Sequence, residues 1–451
     1  MTLADDSESM LLQGAVAEAF AGAAGDEELE KPELRIAFLP QLQAAPLIVA
    51  KERGFFRRHG LDVSLVRGAS CASVHEDLAS GVLDGAQLPA PAPLAATLGI
   101  GTPAVPMLTA LAFGRSGGAI TVSSELYRRM RELDPPAMAQ QPVPARALAQ
   151  VLDDDRRRGR APLVFADISA FSSQGYALRY WLASGGVASD QGPNLRIVSP
   201  GALLEDLARG VIDGYCAGEP CGANATRLGI GRAIVAAQDI WRDGPEDVLA
   251  VTHEWATRHP RSHRAVLRAL IEAASWIDRP ENQLETAHVI AGESHLDVPV
   301  EVIESTATQP ARSGAERKSA AWSFYRGAAS FPWRSHAVWF LTQMQRWGQA
   351  VLPLDVVQLA RSVYRTDLYR EAARDLGVSL PPVDAKCEGA HRGAWLLEGS
   401  TGPIAMESDA FLDGREFDPD EPLTYLAGFA VAQPTQSSQD DVRAHDLRLS
   451  D

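Results

Sequence analysis

A ten-residue segment of this chain occurs twice, and this repeat constrains the fold more than any other feature of the sequence. EDLASGVLDG at Glu76–Gly85 returns as EDLARGVIDG at Glu205–Gly214, with eight of ten residues identical and the second copy starting 129 positions after the first. Each copy follows a β-like run, LDVSLV or LRIV, and precedes an apolar strand candidate, GAQL or GYCA. The spacing exceeds the period of about 20–50 residues that is typical of solenoids. The repeat therefore predicts two similar α/β lobes, and small ligands bind preferentially between such lobes.

The segments around the repeat alternate between strand and helix patterns. LRIAFLP reads as a buried strand, and Ala45–Gly60 reads as one amphipathic helix with a glycine stop. Such alternation predicts parallel sheets with right-handed crossovers. AITV at Ala119–Val122 is a candidate strand for the passage into the second lobe, and DVLAVT at Asp247–Thr252 is a candidate for the return. Residues 124–160 are expected to be irregular, with the run DDDRRRGR forming a solvated face.

These patterns divide the chain into five parts. We expect an acidic flexible arm at 1–32, the first part of lobe 1 at 33–118, lobe 2 at 119–247, the return to lobe 1 with a helical C-terminal extension at 248–430, and a disordered polar tail at 431–451.

Composition excludes several classes of protein. Apolar residues make up 46% of the chain, which suffices for a sizeable core. The net charge of −16 disfavours unaided binding to nucleic acids or anionic membranes. No apolar run is long enough to span a bilayer, and the first thirty residues lack the basic start of a secretory signal. We therefore expect a cytoplasmic protein, or a periplasmic one if its start lies elsewhere.

Several separate segments resemble one known family. RIAFLPQLQAAPLIVAKERGFFRRHGLDVSL, GVLDGAQLPAPAPLAATLGIG, LRYWLASGGV, IDGYCAGEP and VYRTDLYREAARDLGV match, in order, the nitrate/nitrite/bicarbonate substrate-binding proteins of ABC transporters. The resemblance covers roughly residues 34–430. It implies the type II periplasmic-binding-protein fold, in which two α/β lobes joined by two crossovers enclose a ligand cleft. It also implies a non-catalytic protein that binds a small oxyanion or another small nitrogenous ligand.

The resemblance leaves the biological role open. Because no leader or lipid anchor is recognisable, the chain is closest in character to cytoplasmic nitrate/nitrite sensors, which hold an RNA-binding antiterminator protein. The alternative is the substrate-binding component of an ABC importer, whose partner is a permease. A third reading is an enzyme that resembles the pyrimidine-precursor synthases of thiamine biosynthesis. There Cys71 would be the nucleophile and His75 the base one helical turn away, but that family's cysteine- and glycine-rich signature is missing.

Five positions of the family's ligand site can be carried over to this chain. The family's tryptophan falls on Cys71 and its glutamine on or near Gly118. Its histidine falls on Gln174, its backbone contact on Ala217, and its lysine on Asp247. The resemblance therefore implies a changed pocket on a conserved scaffold.

Asp247 matters most among these positions, because an ionised carboxylate about 4 Å from a bound anion would cost about 4 kcal/mol at an effective dielectric near 20. Bicarbonate-binding relatives pair a glutamine with an acidic residue here and recruit a metal cation. Gln174 with Asp247 resembles that pattern, so we expect no cofactor, except calcium if the ligand is bicarbonate-like. A neutral or cationic nitrogenous ligand would also suit an acidic residue here.

Other candidates come from strand and helix ends. Gln41 and Gln43 follow the first strand at its carboxyl end, where ligands bind in open α/β sheets. Ser70 and Ser73 flank the start of the first repeat helix, where they serve either as a cap or as an anion site.

Overall fold

The computed structural model describes residues 28–115, 117–188, 191–307, 322–351 and 355–432. The predicted arm therefore lies outside the described residues up to residue 27, as does the predicted tail from residue 433 onward. The strands are β1 Glu33–Phe38, β2 Asp62–Arg67, β3 Gly85–Pro89, β4 Met107–Ala112, β5 Gly118–Ser123, β6 Val164–Asp167, β7 Asn194–Ile197, β8 Gly214–Gly218, β9 Gly231–Ala236, β10 Asp247–Thr252, β11 Trp395–Leu397 and β12 Ile404–Met406.

The helices surround these strands. They are α1 Ala45–Glu52, α2 Phe55–Arg58, α3 Cys71–Ala79, α4 Ala92–Leu98, α5 Ser124–Leu133, α6 Pro135–Met138, α7 Arg146–Arg158, α8 Ser173–Ser184, α9 Leu203–Ala208, α10 Cys221–Arg227, α11 Ala237–Ile240, α12 His253–Arg258, α13 Pro260–Ile277, α14 Gln283–Ala291, α15 Val300–Ala307, α16 Arg334–Arg346, α17 Val356–Val363, α18 Thr366–Ala373 and α19 Pro422–Leu426. Short 3₁₀ turns include Leu42–Ala44 and Pro200–Ala202.

Two five-stranded sheets with the same architecture form the two lobes. Their strand orders are β2-β1-β3-β10-β4 and β7-β6-β8-β5-β9, so each strand has an equivalent in the other sheet. We call the first sheet and its helices lobe 1, and the second lobe 2. The chain passes into lobe 2 between β4 and β5 and returns between β9 and β10. This is the two-lobed, doubly crossed fold that the resemblance implied.

The repeat occupies equivalent places in both lobes, and the aspartate that both copies share makes the same kind of hydrogen bond in each lobe. Asp84 accepts a hydrogen bond through Oδ2 from the backbone N–H of Arg35 at 2.9 Å. Asp213 accepts one from the backbone N–H of Val164 at 2.8 Å. Each aspartate thus fixes the start of a central strand against the parallel strand beside it. The aspartate–glycine pair recurs because both lobes need the same turn from helix into strand.

Three local expectations need correction. The sheets are mixed, because β10 runs antiparallel to β3 and β4, and β5 runs antiparallel to β8 and β9. The predicted helix Ala45–Gly60 breaks into α1 and α2 at Gly54, whose φ is +73°. Residues 124–160 contain α5, α6 and α7 instead of irregular chain. Asp134 caps α6 by accepting from the backbone N–H of Ala137, which places Pro135 at the first helical position, where proline is tolerated.

The charge run at residues 153–160 is only partly solvated. Asp155 is buried and forms an ion pair with Arg129 of α5, so the run also joins α5 to α7.

The C-terminal extension packs on both lobes. Tyr364 donates a hydrogen bond to the carbonyl of Ala90 in lobe 1 at 2.7 Å. In lobe 2, Tyr176 of α8 donates to the side-chain oxygen of Gln349 at 2.7 Å. One apolar core cluster contains buried residues from lobe 1, lobe 2 and the helix α16. The extension therefore restrains how the two lobes move against each other.

Candidate functional site

Two adjacent acidic residues lie at the point where the chain returns from lobe 2 to lobe 1. Asp247 begins β10, and it is wholly buried. Its Oδ2 atom accepts hydrogen bonds from the amide nitrogens of Gln41 at 2.7 Å and Gln87 at 2.6 Å. Lobe 1 therefore holds the Asp247 carboxylate with two neutral amides.

Glu246 is held mainly by lobe 2. Its Oε1 atom accepts from the side-chain amide of Gln174 at 2.5 Å. Its Oε2 atom accepts from the backbone N–H of Gly117 at 2.6 Å and from the side-chain amide of Gln43. We call Gln41, Gln43, Gln87, Gln174, Glu246 and Asp247 the amide–carboxylate cluster; all six are buried. Side chains of both lobes thus meet on one pair of carboxylates.

Local structure explains how each amide reaches the pair. Gln41 and Gln43 lie just beyond the carboxyl end of β1, in and beside the 3₁₀ turn Leu42–Ala44. Gln87 lies within β3, and its side-chain oxygen accepts from the backbone N–H of Leu39 at 3.2 Å. Gln174 lies in the first turn of α8, which Ser172 caps by accepting from the N–H of Gly175 at 2.7 Å.

Glycines allow the chain to approach the cluster closely. A Cβ on Gly218 would lie 2.7 Å from Gln41 Oε1, 2.9 Å from Glu246 Oε1 and 3.1 Å from Gln43 Oε1. A Cβ on Gly117 would lie 2.7 Å from Gln43 Nε2. Only glycine fits these positions without moving a side chain of the cluster.

The electrostatics of the cluster favour protons or cations. Burial, followed by the Asp247 carboxylate, raises the pKa of Glu246 to about 8. Burial raises the pKa of Asp247 to about 6, against the hydrogen bonds from Gln87 and Gln41. Glu219 also raises the pKa of Glu246, and burial brings its own pKa to about 7. The side chains that contact the pair are neutral amides, and the charged groups that act on Glu246 are acidic.

A further carboxylate lies on the lobe 2 side. Asp167, at the carboxyl end of β6, accepts from the Ser172 hydroxyl, and burial raises its pKa to about 6. Its Oδ2 atom is buried and makes no hydrogen bond. Arg179 Nη1, 3.8 Å away, is the cation that faces it.

The structure brings six of the nine sequence-predicted site residues to one place. Gln41, Gln43, Gln174 and Asp247 belong to the cluster. Gly118 borders it, because a Cβ there would lie 3.2 Å from Glu246 Oε1 and 2.7 Å from the carbonyl oxygen of Ala217. Ala217 is therefore adjacent as well. Whether these residues bind a ligand remains a prediction.

The remaining three, Ser70, Cys71 and Ser73, lie at the start of α3 and take no part in the hydrogen bonds of the cluster. Ser70 caps α3 by accepting from the N–H of Ser73 at 3.1 Å, and the two hydroxyl oxygens lie 3.0 Å apart. Cys71 packs in an apolar cluster with Ile168 and Ala217 of lobe 2. Burial, followed by Asp247 and Asp167, raises the pKa of the Cys71 thiol well above its usual range. Burial also lowers the pKa of His75, so this pair is poorly suited to nucleophilic catalysis.

Sequence reasoning missed Glu246, Gln87 and Asp167 as parts of the site. Two signals were available for them. Glu246 is the immediate neighbour of Asp247, and Asp167 ends a predicted strand at its carboxyl end, where ligands bind in such sheets. Gln87 had no such signal, because it lies in the middle of a strand.

A second group of buried polar side chains lies outside the amide–carboxylate cluster. Among the residues that the structure describes, Asp243, His336 and Glu388 offer metal-ligand atoms within 4.8 Å of one another. However, the Lys386 ammonium already contacts this group, at 3.0 Å from Asp243 Oδ2 and 2.5 Å from Glu388 Oε2. We therefore interpret the group as an ion-pair network.

The two equivalent lobes and the two crossovers between them define a class of protein, the two-lobed type II periplasmic-binding-protein fold. The chain belongs to the NMT1-like family, whose model matches residues 27–291. It is 30% identical to the bicarbonate-binding protein CmpA of Synechococcus elongatus, over 91% of this chain and 89% of that protein. The crystal structure of the periplasmic nitrate-binding protein NrtA from Synechocystis superposes with a TM-score of 0.76 at 26% identity, covering 90% of this chain and all of that one.

Other relatives are longer than this chain. It is 34% identical to the nitrate import ATP-binding protein NrtC of Synechocystis over 94% of its own length, but spans only 59% of that protein. It spans 55% of the bicarbonate transport ATP-binding protein CmpC of the same genus. In the described part of the chain, no helix is long and apolar enough to cross a membrane.

Proposed function

We propose that this chain is the ligand-binding component of an ABC import system, and that the amide–carboxylate cluster is where its small polar ligand binds. The observation that carries the proposal is the convergence of both lobes on Glu246 and Asp247. Gln41 and Gln87 reach the pair from lobe 1, while Gln174 and Gly117 reach it from the lobe 2 side. A ligand that contacts residues of both lobes binds the closed arrangement more tightly than the open one. Such a difference in affinity is what a two-lobed receptor needs in order to close on its ligand.

The charge of the cluster limits the ligand. A bare nitrate ion about 4 Å from one ionised carboxylate would lose about 4 kcal/mol at an effective dielectric near 20, roughly a thousandfold in affinity. The ionised pair therefore favours a ligand that brings positive charge, either by itself or through a cation that accompanies it, and a bare anion needs the carboxyl groups to be protonated. The names of the relatives, which include both nitrate- and bicarbonate-binding proteins, do not decide between these options.

Calcium is one such cation, and the residues present offer it ligand oxygens, although the amides that donate to the carboxylates would have to turn to admit it. Calcium prefers carboxylate and amide oxygens, and the cluster contains buried oxygens of both kinds without a hydrogen-bond partner: Gln43 Oε1, Gln174 Oε1 and Asp247 Oδ1. Under this proposal, the carboxylates of Glu246 and Asp247 would hold the ion together with the amide oxygens of Gln43 and Gln174. The ion would then supply the positive charge that a bicarbonate-like ligand needs.

The predicted sensor shares this site but has a different partner. CmpA and NrtA, which this chain spans nearly in full, are named as binding proteins, and CmpC and NrtC as transport proteins. These names support an importer component over a sensor that holds an antiterminator. They also support a non-catalytic role. Tagged chain should therefore co-purify with a permease or an import ATPase from its own cells, and recovery of an RNA-binding antiterminator instead would favour the sensor.

Calorimetric titration tests the ligand site directly. The purified chain is titrated with nitrate, nitrite and bicarbonate, each with and without calcium. Nitrate alone should give no heat, and if a cation accompanies the ligand, bicarbonate should bind only when calcium is present. Glu246→Gln should abolish the calcium-dependent binding, whereas Glu132→Gln, on an exposed face of α5, should leave it unchanged. Equal nitrate binding by wild type and Glu246→Gln would contradict the assignment of the site.

A further inference from the structure

The acceptor atoms left over in the amide–carboxylate cluster indicate which ligand it suits. Gln43 Oε1, Gln174 Oε1 and Asp247 Oδ1 are buried and accept no hydrogen bond. The two amide oxygens accept and never donate, and Asp247 Oδ1 is also an acceptor while its carboxyl group is ionised. Buried polar atoms without partners are uncommon in native proteins, and each calls for an explanation. Here they lie around one pair of carboxylates, so the cluster as a whole lacks donors.

The nitrogen side of each amide is already engaged. Gln43 and Gln174 donate to Glu246, while Gln41 and Gln87 donate to Asp247. The N–H groups therefore point at the carboxylate oxygens, and the amide oxygens of Gln43 and Gln174 are left without a hydrogen-bond donor. The space beside Gly218 is also lined by hydrogen-bond acceptors. A Cβ on Gly218 would lie 2.7–3.1 Å from three side-chain oxygens.

We propose that the ligand of this cluster is a compact organic cation of the guanidinium class, with several N–H groups in one plane. The inference rests on the proposed function, because it names the substrate of the same site. A guanidinium can donate to Gln43 Oε1, Gln174 Oε1 and Asp247 Oδ1 while its charge lies beside Glu246 and Asp247. A bound metal ion, in contrast, would face the amide N–H groups that already contact these carboxylate oxygens, and those amides would have to turn.

The acidic pair can respond to a bound cation by losing protons. Burial raises the pKa of both Glu246 and Asp247, so the folded protein retains protons on the pair that free carboxyl groups would lose. A bound monocation would stabilise the ionised carboxylates, so its binding should release a proton. The neutral isostere urea has the same planar N–H groups but brings no charge, which makes it the matched ligand control.

Calorimetry in dilute guanidinium chloride, well below denaturing concentrations, tests the inference. We expect saturable binding, at least tenfold weaker binding of urea, and no effect of an equal concentration of sodium chloride. Titration near pH 7 in two buffers with different ionisation enthalpies should show proton release. Glu246→Gln and Asp247→Asn should each weaken guanidinium binding at least tenfold, whereas Glu132→Gln should not, and thermal melts confirm that each variant folds.

The outcomes separate this inference from the proposed function. Binding of bicarbonate with calcium but not of guanidinium overturns the inference and keeps a ligand-binding component. Urea binding as tight as guanidinium also overturns it, since charge would then play no part. No binding of any of these ligands overturns the inference and the assignment of the cluster as the ligand site together.

Discussion

Arg115 Nε lies 2.6 Å from Asp243 Oδ1, and this buried ion pair joins the two segments that connect the lobes. Arg115 precedes β5 on the way into lobe 2, and Asp243 precedes β10 on the way back. Arg115 also donates to the carbonyl of Gly327 at 2.7 Å, while Lys386 contacts the other oxygen of Asp243 at 3.0 Å. The C-terminal extension is thereby tied to both crossovers, a few residues from Glu246.

Asp243→Ala should destabilise the protein strongly, because it leaves the buried charge of Arg115 without its closest partner. Removing one partner of a buried pair costs about 3–5 kcal/mol. Arg209→Ala removes a pair whose side chains are both more than half exposed, and should cost less than about 1 kcal/mol. Urea unfolding of the two variants compares these costs. A small effect of Asp243→Ala would mean that the crossover pair contributes little to stability.

Gly218→Ala should weaken ligand binding and lower stability together. Its Cβ would lie 2.7 Å from Gln41 Oε1 and 2.9 Å from Glu246 Oε1, closer than ordinary contacts. Overpacking of this kind costs about 1–3 kcal/mol, and it displaces the cluster side chains. Gly201→Ala, also in lobe 2, has nothing within 4 Å of its Cβ and is the control. Thermal melts and calorimetry report both effects. If the two variants behave alike, Gly218 does not border the site.

Thiol reactivity should distinguish Cys387 from the other three cysteines. Cys387 is exposed, whereas Cys71 and Cys216 are buried and Cys221 is partly so. Burial raises the pKa of all four thiols, so the exposure of Cys387, and not its thiolate content, should make it the first to react. Titration of the native protein with a disulfide reagent should show one fast thiol, which Cys387→Ser removes. The unfolded chain should show all four. Fast modification of Cys71 in the native state would revive the enzyme alternative.

Much of the fold follows from short-range signals in the sequence. The repeat predicts two equivalent lobes because each lobe uses the same aspartate, Asp84 or Asp213, to set its helix–strand turn. The expectation of irregular chain at 124–160 is wrong, because the adjacent prolines of this segment, Pro135 and Pro136, lie at a helix start and not in a helix interior. In the structure Pro135 opens α6, where its missing N–H costs nothing.

The site was only partly predictable, for a physical reason. Gln41 and Gln43 follow a strand at its carboxyl end, so topology alone makes them candidates. The neighbours Glu246 and Asp247 are held by different sets of amides, and which amides meet which carboxylate depends on how the two lobes pack. The Gln174–Glu246 contact joins residues of α8 and the return crossover, and no local pattern encodes it.

The stability of the protein should fall as the pH rises from about 4.5 to about 8. Burial raises the pKa of Glu246 from 4.5 to about 8 and that of Asp247 from 3.8 to about 6. In that window the native state therefore binds more protons than the unfolded state, so stability decreases with increasing pH. Each unit of separation between native and unfolded pKa values corresponds to about 1.4 kcal/mol. Glu219, with a native pKa of about 7, adds to the same slope.

Glu246→Gln should remove the part of this slope that extends to the highest pH, because the amide has the size of the carboxyl group but does not ionise. Relative to wild type, the variant should gain stability steadily between pH 5 and pH 9, on top of a constant loss because its amide N–H₂ faces the N–H donors that Glu246 accepts from. Urea unfolding at several pH values between these limits measures the difference, and Glu132→Gln on exposed α5 controls for the loss of a carboxylate. Parallel curves for wild type and Glu246→Gln would mean that Glu246 titrates normally in the folded protein, and that the cluster has no need of a cation.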